Sequence, residues 1–522
     1  MAPAPKFDFS DLFVLDMANN HQGSFVHGKT IIDGCGEVVR RHGVRAGIKF
    51  QFRDLPEFVH VSQRESSTNK HVPRFLSTML SWDQFADLAD AVRAARMETI
   101  CTPFDEASVE KIVEMDFDII KVASCSARDW PLLEAVAASG LPVIASTGGL
   151  SLSQVDDLVS FLAHRACEFA LMHCVSIYPT PDAACNLANI AEFRTRYPGR
   201  TIGWSTHEPP EETAHVGIAA ALGARMFERH VGVATNEIKL NAYSSTPEQV
   251  DRWLTAYAKA RTLIGSCTRD SILDEEIAAI DGLKRGVFVK SATPAGTTLS
   301  DDDVYFAFPY QEGQFSSADW APGSVNIATL AADEALTPAN CEIFVHPDKK
   351  VEQVLKSAIH EVKAELAYAG VTLSHEFQTE YSHHYGIENF REVGAVLITV
   401  VNRDYAKKLL VQLKGQRHPL HLHKLKEETF VVLKGDLVIE LDGVERTLRP
   451  GDQLTVPPGV WHSFYTDTGC VFEEISTTAH PNDSYYRDRK IAELSSAQRK
   501  TVVDHWGRFQ ISEQIRFAKI TG

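Results

Sequence analysis

His421 and His423, with Glu428 and His462, give the sharpest local signal in the chain. They sit in a spaced frame: Gly415, His421-Leu-His423, Glu428 and Gly435, then Gly451, Pro457, Gly459 and His462. Residues two apart on a strand face the same side, so His421 and His423 point together and a hairpin partner brings Glu428 beside them. Three imidazoles and one carboxylate suit a divalent transition metal such as Mn, Fe, Ni or Zn, with positions left open for a ligand. Glu427 is an alternative carboxylate, and the spacing favours Glu428.

A second group is scattered, and needs an architecture to gather it. Eight short apolar runs cross the first 232 residues: LFVLDMANNH, GIKFQ, TICTPFD, IIKVASCS, VIASTGG, FALMHCVS, TIGWSTH and MFERHVG. Each stops at a polar cluster, and amphipathic stretches such as 83–97, 106–115 and 153–164 lie between them. Short buried runs alternating with helices predict a parallel (β/α)8 barrel, in which strand C-termini open onto one face. Asn20, His21, Lys49, Thr102, Lys121, Ser146, Ser205, His207, Glu228 and His230 would then ring one cavity. Lys49 and Lys121 can bind a compact, multiply charged anion. Thr102, Ser124, Ser146, Ser176 and Ser205 add neutral donors, and His207 with His230 could hold one metal, leaving positions for water and a carbonyl oxygen.

The 522 residues exceed one core, so several domains are expected. The expected fold class is α/β: a barrel over 1–265, a small β-rich module over 282–345, and an all-β C-terminal barrel with flanking helices over 346–522. The stretch 246–264 reads as a long amphipathic helix, 266–284 as a polar linker, 349–369 as a helix, 394–478 as alternating strands, and 484–522 as a charged, partly helical tail. With 69 acidic against 52 basic residues, the surface should repel nucleic acid and anionic membrane. Nine scattered cysteines with no CxxC pair fit a reducing compartment. The start MAPAPKFDFSD lacks a charged and an apolar leader region, and no apolar stretch is long enough to span a membrane, so a cytoplasmic location is expected.

Over about 14–345 the chain resembles the sialic acid (N-acetylneuraminate) synthases, through NNHQG at 19–23, KFQ at 49–51, TPFD at 102–105, KVAS at 121–124, PLLEAVAASGLPVIASTGG at 131–149, CVSIYPTP at 174–181, GWSTH at 203–207 and FERH at 227–230. The resemblance implies a barrel joined to an antifreeze-like (SAF) domain, and condensation of phosphoenolpyruvate with an open-chain aldose to give a nonulosonic acid and phosphate. It implies that Lys49, Thr102, Lys121, Ser124, Ser146, Ser176 and Ser205 surround phosphoenolpyruvate, with Gln51, Phe104 and Tyr178 also at the substrate. His207 and His230 become Mn²⁺ ligands, Glu228 holds sugar hydroxyls or assists metal-bound water, and Asp16 and Asn241 lie on the sugar side. A homodimer with each SAF domain capping its partner's barrel is also implied. Several positions depart from the family: Asp16 replaces Glu, Ser126 replaces Glu, Ser176 replaces Asn, Asn241 replaces Asp, and Ala307-Phe308-Pro309-Tyr310 replaces a KRPG run whose Arg covers the partner's site.

The segment around His421 resembles the cupin superfamily, with Thr466 where its second motif usually ends in Asn, and HHYGIENFREVG onward is similar to aldose–ketose isomerases of the D-lyxose isomerase type. That likeness implies a metal-bearing cupin that isomerises or binds the sugar. A chain that is principally a cupin isomerase, or a non-catalytic sugar-binding assembly protein, are the alternatives.

Overall fold

A computed structural model describes residues 7–504 except 66–67, 206, 267–270, 345–346, 374–376 and 481. The chain divides into two compact units, Met1–Asp270 and Ser271–Gly522.

The first unit is a closed barrel of eight parallel strands in chain order: β1 (Leu12–Asp16), β2 (Arg45–Phe52), β3 (Glu98–Pro103), β4 (Ile119–Val122), β5 (Val143–Ser146), β6 (Phe169–Cys174), β7 (Ile202–Ser205) and β8 (Met226–His230). Helices alternate with the strands and are firmly started. Ser81, Ser151 and Thr246 each form a capping box at the heads of Trp82–Ala94, Leu152–His164 and Pro247–Ile264. The outward strand residues, such as Phe13, Phe50 and Trp204, pack with the helices in one large apolar layer.

Strand alternation positions the site. Leu12, Val14, Ile100, Ile119, Ile144, Ala170, Met172 and Met226 form a separate inner cluster that plugs the barrel. Two residues further along the same faces come Asp16, Thr102, Lys121, Ser146 and Glu228, all buried. Each inner face therefore turns from apolar to polar toward its C-terminal end. Register aligns the polar layer: Asp16 pairs with Lys49 on one side and His230 on the other, and Ser205 pairs with Glu228.

The second unit begins with the helix Asp274–Asp281, inside a stretch that the sequence suggests is a polar linker. A small β module follows: β9 (Gly286–Val289) with β10 (Val304–Ala307), and β11 (Val325–Asn326) with β12 (Cys341–Glu342), around Val287, Val289, Leu299, Val304, Leu330, Leu336 and Cys341. The expected boundary at 345/346 falls outside the described residues.

Two sheets complete the unit. One has seven strands ordered β20 (Gln453–Val456), β17 (Glu428–Lys434), β22 (Cys470–Thr477), β15 (Tyr405–Gln412), β14 (Ala395–Asn402), β13 (Gln378–Ser382) and β24 (Lys500–Asp504). The other has five: β19 (Val444–Leu448), β18 (Leu437–Leu441), β21 (His462–Tyr465), β16 (Arg417–His423) and β23 (Ser484–Tyr486). Leu410, Phe430, Ile439, Phe464 and Phe472 share an apolar cluster to which both sheets contribute. The helix Pro347–Tyr368 buries Leu355, Ile359, Val362 and Leu366 with Val396, Ile398, Leu409 and Val411. The tail read as partly helical contributes two strands, β23 and β24, besides the short helices Arg489–Ala492 and Ser496–Arg499. Among the described residues no helix is long and apolar enough to cross a membrane.

Candidate functional site

The polar layer of the barrel is a charge network. Lys49 Nζ lies 3.0 Å from Asp16 Oδ2 and 2.9 Å from Glu228 Oε1, and Lys121 Nζ contacts the other Glu228 oxygen. Burial opposes the Lys49 charge, but Asp16 and Glu228 outweigh it and hold its pKa above the ordinary lysine value. Lys121 has a single carboxylate and faces the Lys49 charge, so burial prevails and lowers it. Burial would raise Glu228, yet the two lysines pull it well below the usual carboxylate range. The layer thus stores two ammonium groups against two carboxylates in a site with little water, where an entering anion is strongly felt.

Hydroxyls surround these charges. Among the described residues, Thr102 Oγ1 and Ser146 Oγ are buried without a hydrogen-bond partner, an arrangement that leaves donors free for a ligand. Ser205 is buried at the end of β7. Ser124 Oγ accepts the Gly148 N–H at 3.0 Å. A Cβ at Gly148 would come within 2.5 Å of Ser176 Oγ and 2.7 Å of Ser124 Oγ, so glycine is what lets these two hydroxyls close over the turn after β5. Ser176 itself is exposed.

His207 and His230 come together, their ring centroids 5.2 Å apart. Burial makes both poor bases, His207 down to about 3. His207 Nδ1 lies 2.9 Å from the Val175 carbonyl; a carbonyl only accepts, so Nδ1 carries the proton and Nε2 keeps its lone pair. His230 Nε2 faces Asp16 Oδ2 at 3.3 Å. Two neutral imidazoles with an adjacent carboxylate fit a divalent cation. Tyr178 lies 3.9 Å from the His207 ring and 5.2 Å from Tyr243, whose ring is 5.1 Å from His230.

Other expected residues serve the scaffold or the rim. Asn20 donates to the Val231 carbonyl and Ser244 Oγ, tying the ends of β1 and β8. His21 accepts the Gly23 N–H and packs against Phe85. Asn241 accepts the Tyr243 N–H within its own turn. Gln51 and Phe104 both meet Arg53. Arg53 and Tyr243 are additions that the sequence reading lacked. Arg53 continues the alternation Lys49, Gln51, Arg53 past the end of β2, whereas Tyr243 lies in a loop with no periodic signal.

The cupin tetrad assembles as its spacing implies. Ligand atoms of His421, His423, Glu428 and His462 all lie within 4.8 Å of one another, and all four residues are buried. Each histidine places Nδ1 against a backbone carbonyl: His421 on Pro419, His423 on Asp483 and His462 on Val460. All three Nε2 lone pairs are thereby available, the tautomer a metal requires. Burial lowers His421, and lowers His423 to about 4, so both are neutral and ready to ligate. The donor set therefore fits a divalent transition metal. Lys426 contacts Glu428 and lies 3.0 Å from Glu474, another buried carboxylate. His421, His423 and Glu428 line a polar cavity of about 420 Å³, together with His384, Lys408, Glu474 and Arg499.

Residues 39–269 match the NeuB family and residues 409–473 match the cupin domain. The crystal structure of a Chromobacterium violaceum protein named for spore coat polysaccharide biosynthesis is 41% identical, with a TM-score of 0.62, over 64% of this chain and 99% of that one. The N-acetylneuraminate-9-phosphate synthase of Drosophila melanogaster is 31% identical over 230 residues, 42% of this chain and 59% of its own length. Spore coat polysaccharide biosynthesis protein SpsE of Bacillus subtilis is 26% identical over 318 residues, 56% of this chain and 83% of its own. The chain belongs to the NeuB family and carries a cupin domain at its C-terminal end.

Proposed function

We propose that the barrel condenses phosphoenolpyruvate with an open-chain aldose, releasing phosphate and forming a nonulosonic or other ulosonic acid. The observation that supports this most is the buried pair Lys49 and Lys121, held by Glu228 and ringed by the unpartnered hydroxyls of Thr102 and Ser146. A phosphate and a carboxylate on one small molecule are the groups such a layer can take. The synthase named among the relatives supports the same reading.

In this account Lys49 and Lys121 orient phosphoenolpyruvate and neutralise its charge, and Ser124, Ser146, Ser176 and Ser205 add hydrogen bonds. Its C3 attacks the aldehyde carbon, which forms the C–C bond and leaves positive character at C2. Water adds to C2, and collapse of the adduct breaks the C–O bond so that phosphate leaves. Glu228, ionised between the lysines, opposes the positive charge and holds sugar hydroxyls. Asp16 sits between Lys49 and His230, where it can orient both. Tyr178 and Phe104 stand at the wall of the cavity. A divalent cation such as Mn²⁺ on His207 and His230 would supply Lewis-acid polarisation of the aldehyde.

We assign the module over 282–345 as the SAF domain and the functional form as a homodimer, both on the resemblance. The cupin, by its buried tetrad and polar cavity, is read as a metal-dependent sugar site that isomerises a ketose to the aldose or binds it. The test is phosphate release from phosphoenolpyruvate with Mn²⁺ across free and phosphorylated aldoses and ketoses, with the new keto acid identified by mass spectrometry. Release with an aldose supports the synthase. Release with a ketose only while His421 and His423 are intact supports two sites in sequence. No release with any sugar defeats the barrel reading.

A further inference from the structure

Among the described residues, one cation at the barrel mouth, Arg53, makes no direct ion pair, although the charges of Asp105 and Asp16 reach it. Arg53 follows β2 directly, and strand alternation sets it in line with Lys49 and Gln51. Its guanidinium lies 3.6 Å from the centroid of Phe104 and 4.0 Å from that of Phe75. It donates one N–H to Gln51 Oε1 at 3.2 Å, while its Nε is buried with no hydrogen-bond partner. Among the described residues it makes no ion pair, whereas Lys49 and Lys121 are both held by carboxylates. The carboxylate of Asp105, within electrostatic reach, is engaged by the backbone N–H groups of Asp54 and Ser108. Burial lowers the guanidinium to about 10, so it is still charged at neutral pH.

Two aromatic rings hold the guanidinium in place, and its remaining N–H groups form a planar fork suited to phosphate or carboxylate. Its position supplies a direction. β2 and β3 end on one side of β1, and β7 and β8, which carry His207 and His230 near their ends, lie on the other. An open-chain sugar whose aldehyde meets the histidine side would extend its far end toward Arg53. We propose that Arg53 is the acceptor's anion anchor, and that the acceptor is an acidic sugar bearing a phosphate ester or a carboxylate at the end remote from its aldehyde. This assignment rests on the synthase reading of the barrel.

The test uses the full chain with Mn²⁺ and follows keto-acid formation from phosphoenolpyruvate with mannose, mannose 6-phosphate and mannuronate, alongside arabinose and arabinose 5-phosphate. Wild type should favour an anionic acceptor over its neutral counterpart by about tenfold or more in kcat/KM. Preference for the phosphate or for the carboxylate identifies the source of the anion. Arg53→Gln should bring that ratio close to one, and Arg53→Lys should keep part of it. A wild type that prefers the neutral sugar, or a ratio untouched in Arg53→Gln, overturns the assignment. Calorimetric titration of mannose 6-phosphate without phosphoenolpyruvate separates the two readings. If nothing turns over but binding is lost in Arg53→Gln and kept in Arg53→Lys, the anion pocket stands and the synthase reading falls. Equal binding by all three proteins removes the pocket.

Discussion

The barrel site and the cupin site both gather buried imidazoles on a β scaffold, but they balance charge in opposite ways. In the barrel two lysines are set against two carboxylates, the layer proposed to take an anion. In the cupin three imidazoles, each fixed through Nδ1, converge with one carboxylate, and the layer is arranged to accept a cation. The barrel draws its groups from the ends of many strands, the cupin from β16, β17 and β21 alone. A polar layer at strand ends thus spreads its contacts over residues from many strands, whereas a spaced motif on neighbouring strands concentrates a single centre.

The largest expected break in this contrast is Lys121→Met. Phosphate release should fall by about a thousandfold, since a preorganised charge at the reacting group is lost, while the metal bound by the cupin is unchanged. Loss of cupin metal in that variant would show that the two sites are not independent.

The reciprocal change is His421→Ala with His423→Ala. Elemental analysis should show the cupin's equivalent of divalent metal gone, and phosphate release with a preformed aldose should persist. Unchanged metal content would remove the tetrad as a metal site.

A smaller effect concerns acid stability. His21, ordinarily near 6.5, is lowered by burial to about 4 in the folded barrel. The unfolded chain therefore binds this proton first, so the associated stability is complete above pH 6.5 and is lost as pH falls toward 4. The apparent unfolding temperature should decline across that window, and His21→Gln should flatten the decline. An unaltered slope would exclude His21 as a contributor.

The smallest effect is expected at Thr102. Thr102→Val removes one unpartnered hydroxyl and should cost about tenfold in kcat/KM for phosphoenolpyruvate. No change would mean that this hydroxyl does not meet the substrate.

Much of this layout was legible because it follows local periodicity. His421 and His423 share a face because strands repeat every two residues, and the change from Val14 to Asp16 or Ile119 to Lys121 marks the end of each barrel strand. What escaped was non-local or masked by composition. β24 pairs with β13 across most of the second unit, and nothing local in KTVVD signals that partner. The helix Asp274–Asp281 is exposed and acidic at its head, so it reads as a linker when only apolar faces are counted. Arg53 had a signal, its spacing from Lys49 and Gln51, but only the fold shows that among the described residues it makes no ion pair.

The central claim is that phosphate leaves the barrel by C–O cleavage after a C–C bond has formed. Phosphoenolpyruvate labelled with ¹⁸O in the bridging position, turned over with an accepted aldose, tests this directly. The account predicts that the label is recovered in inorganic phosphate, in step with formation of the new keto acid. Label retained in pyruvate, with phosphate released but no sugar-derived keto acid, would mean P–O cleavage and would contradict it.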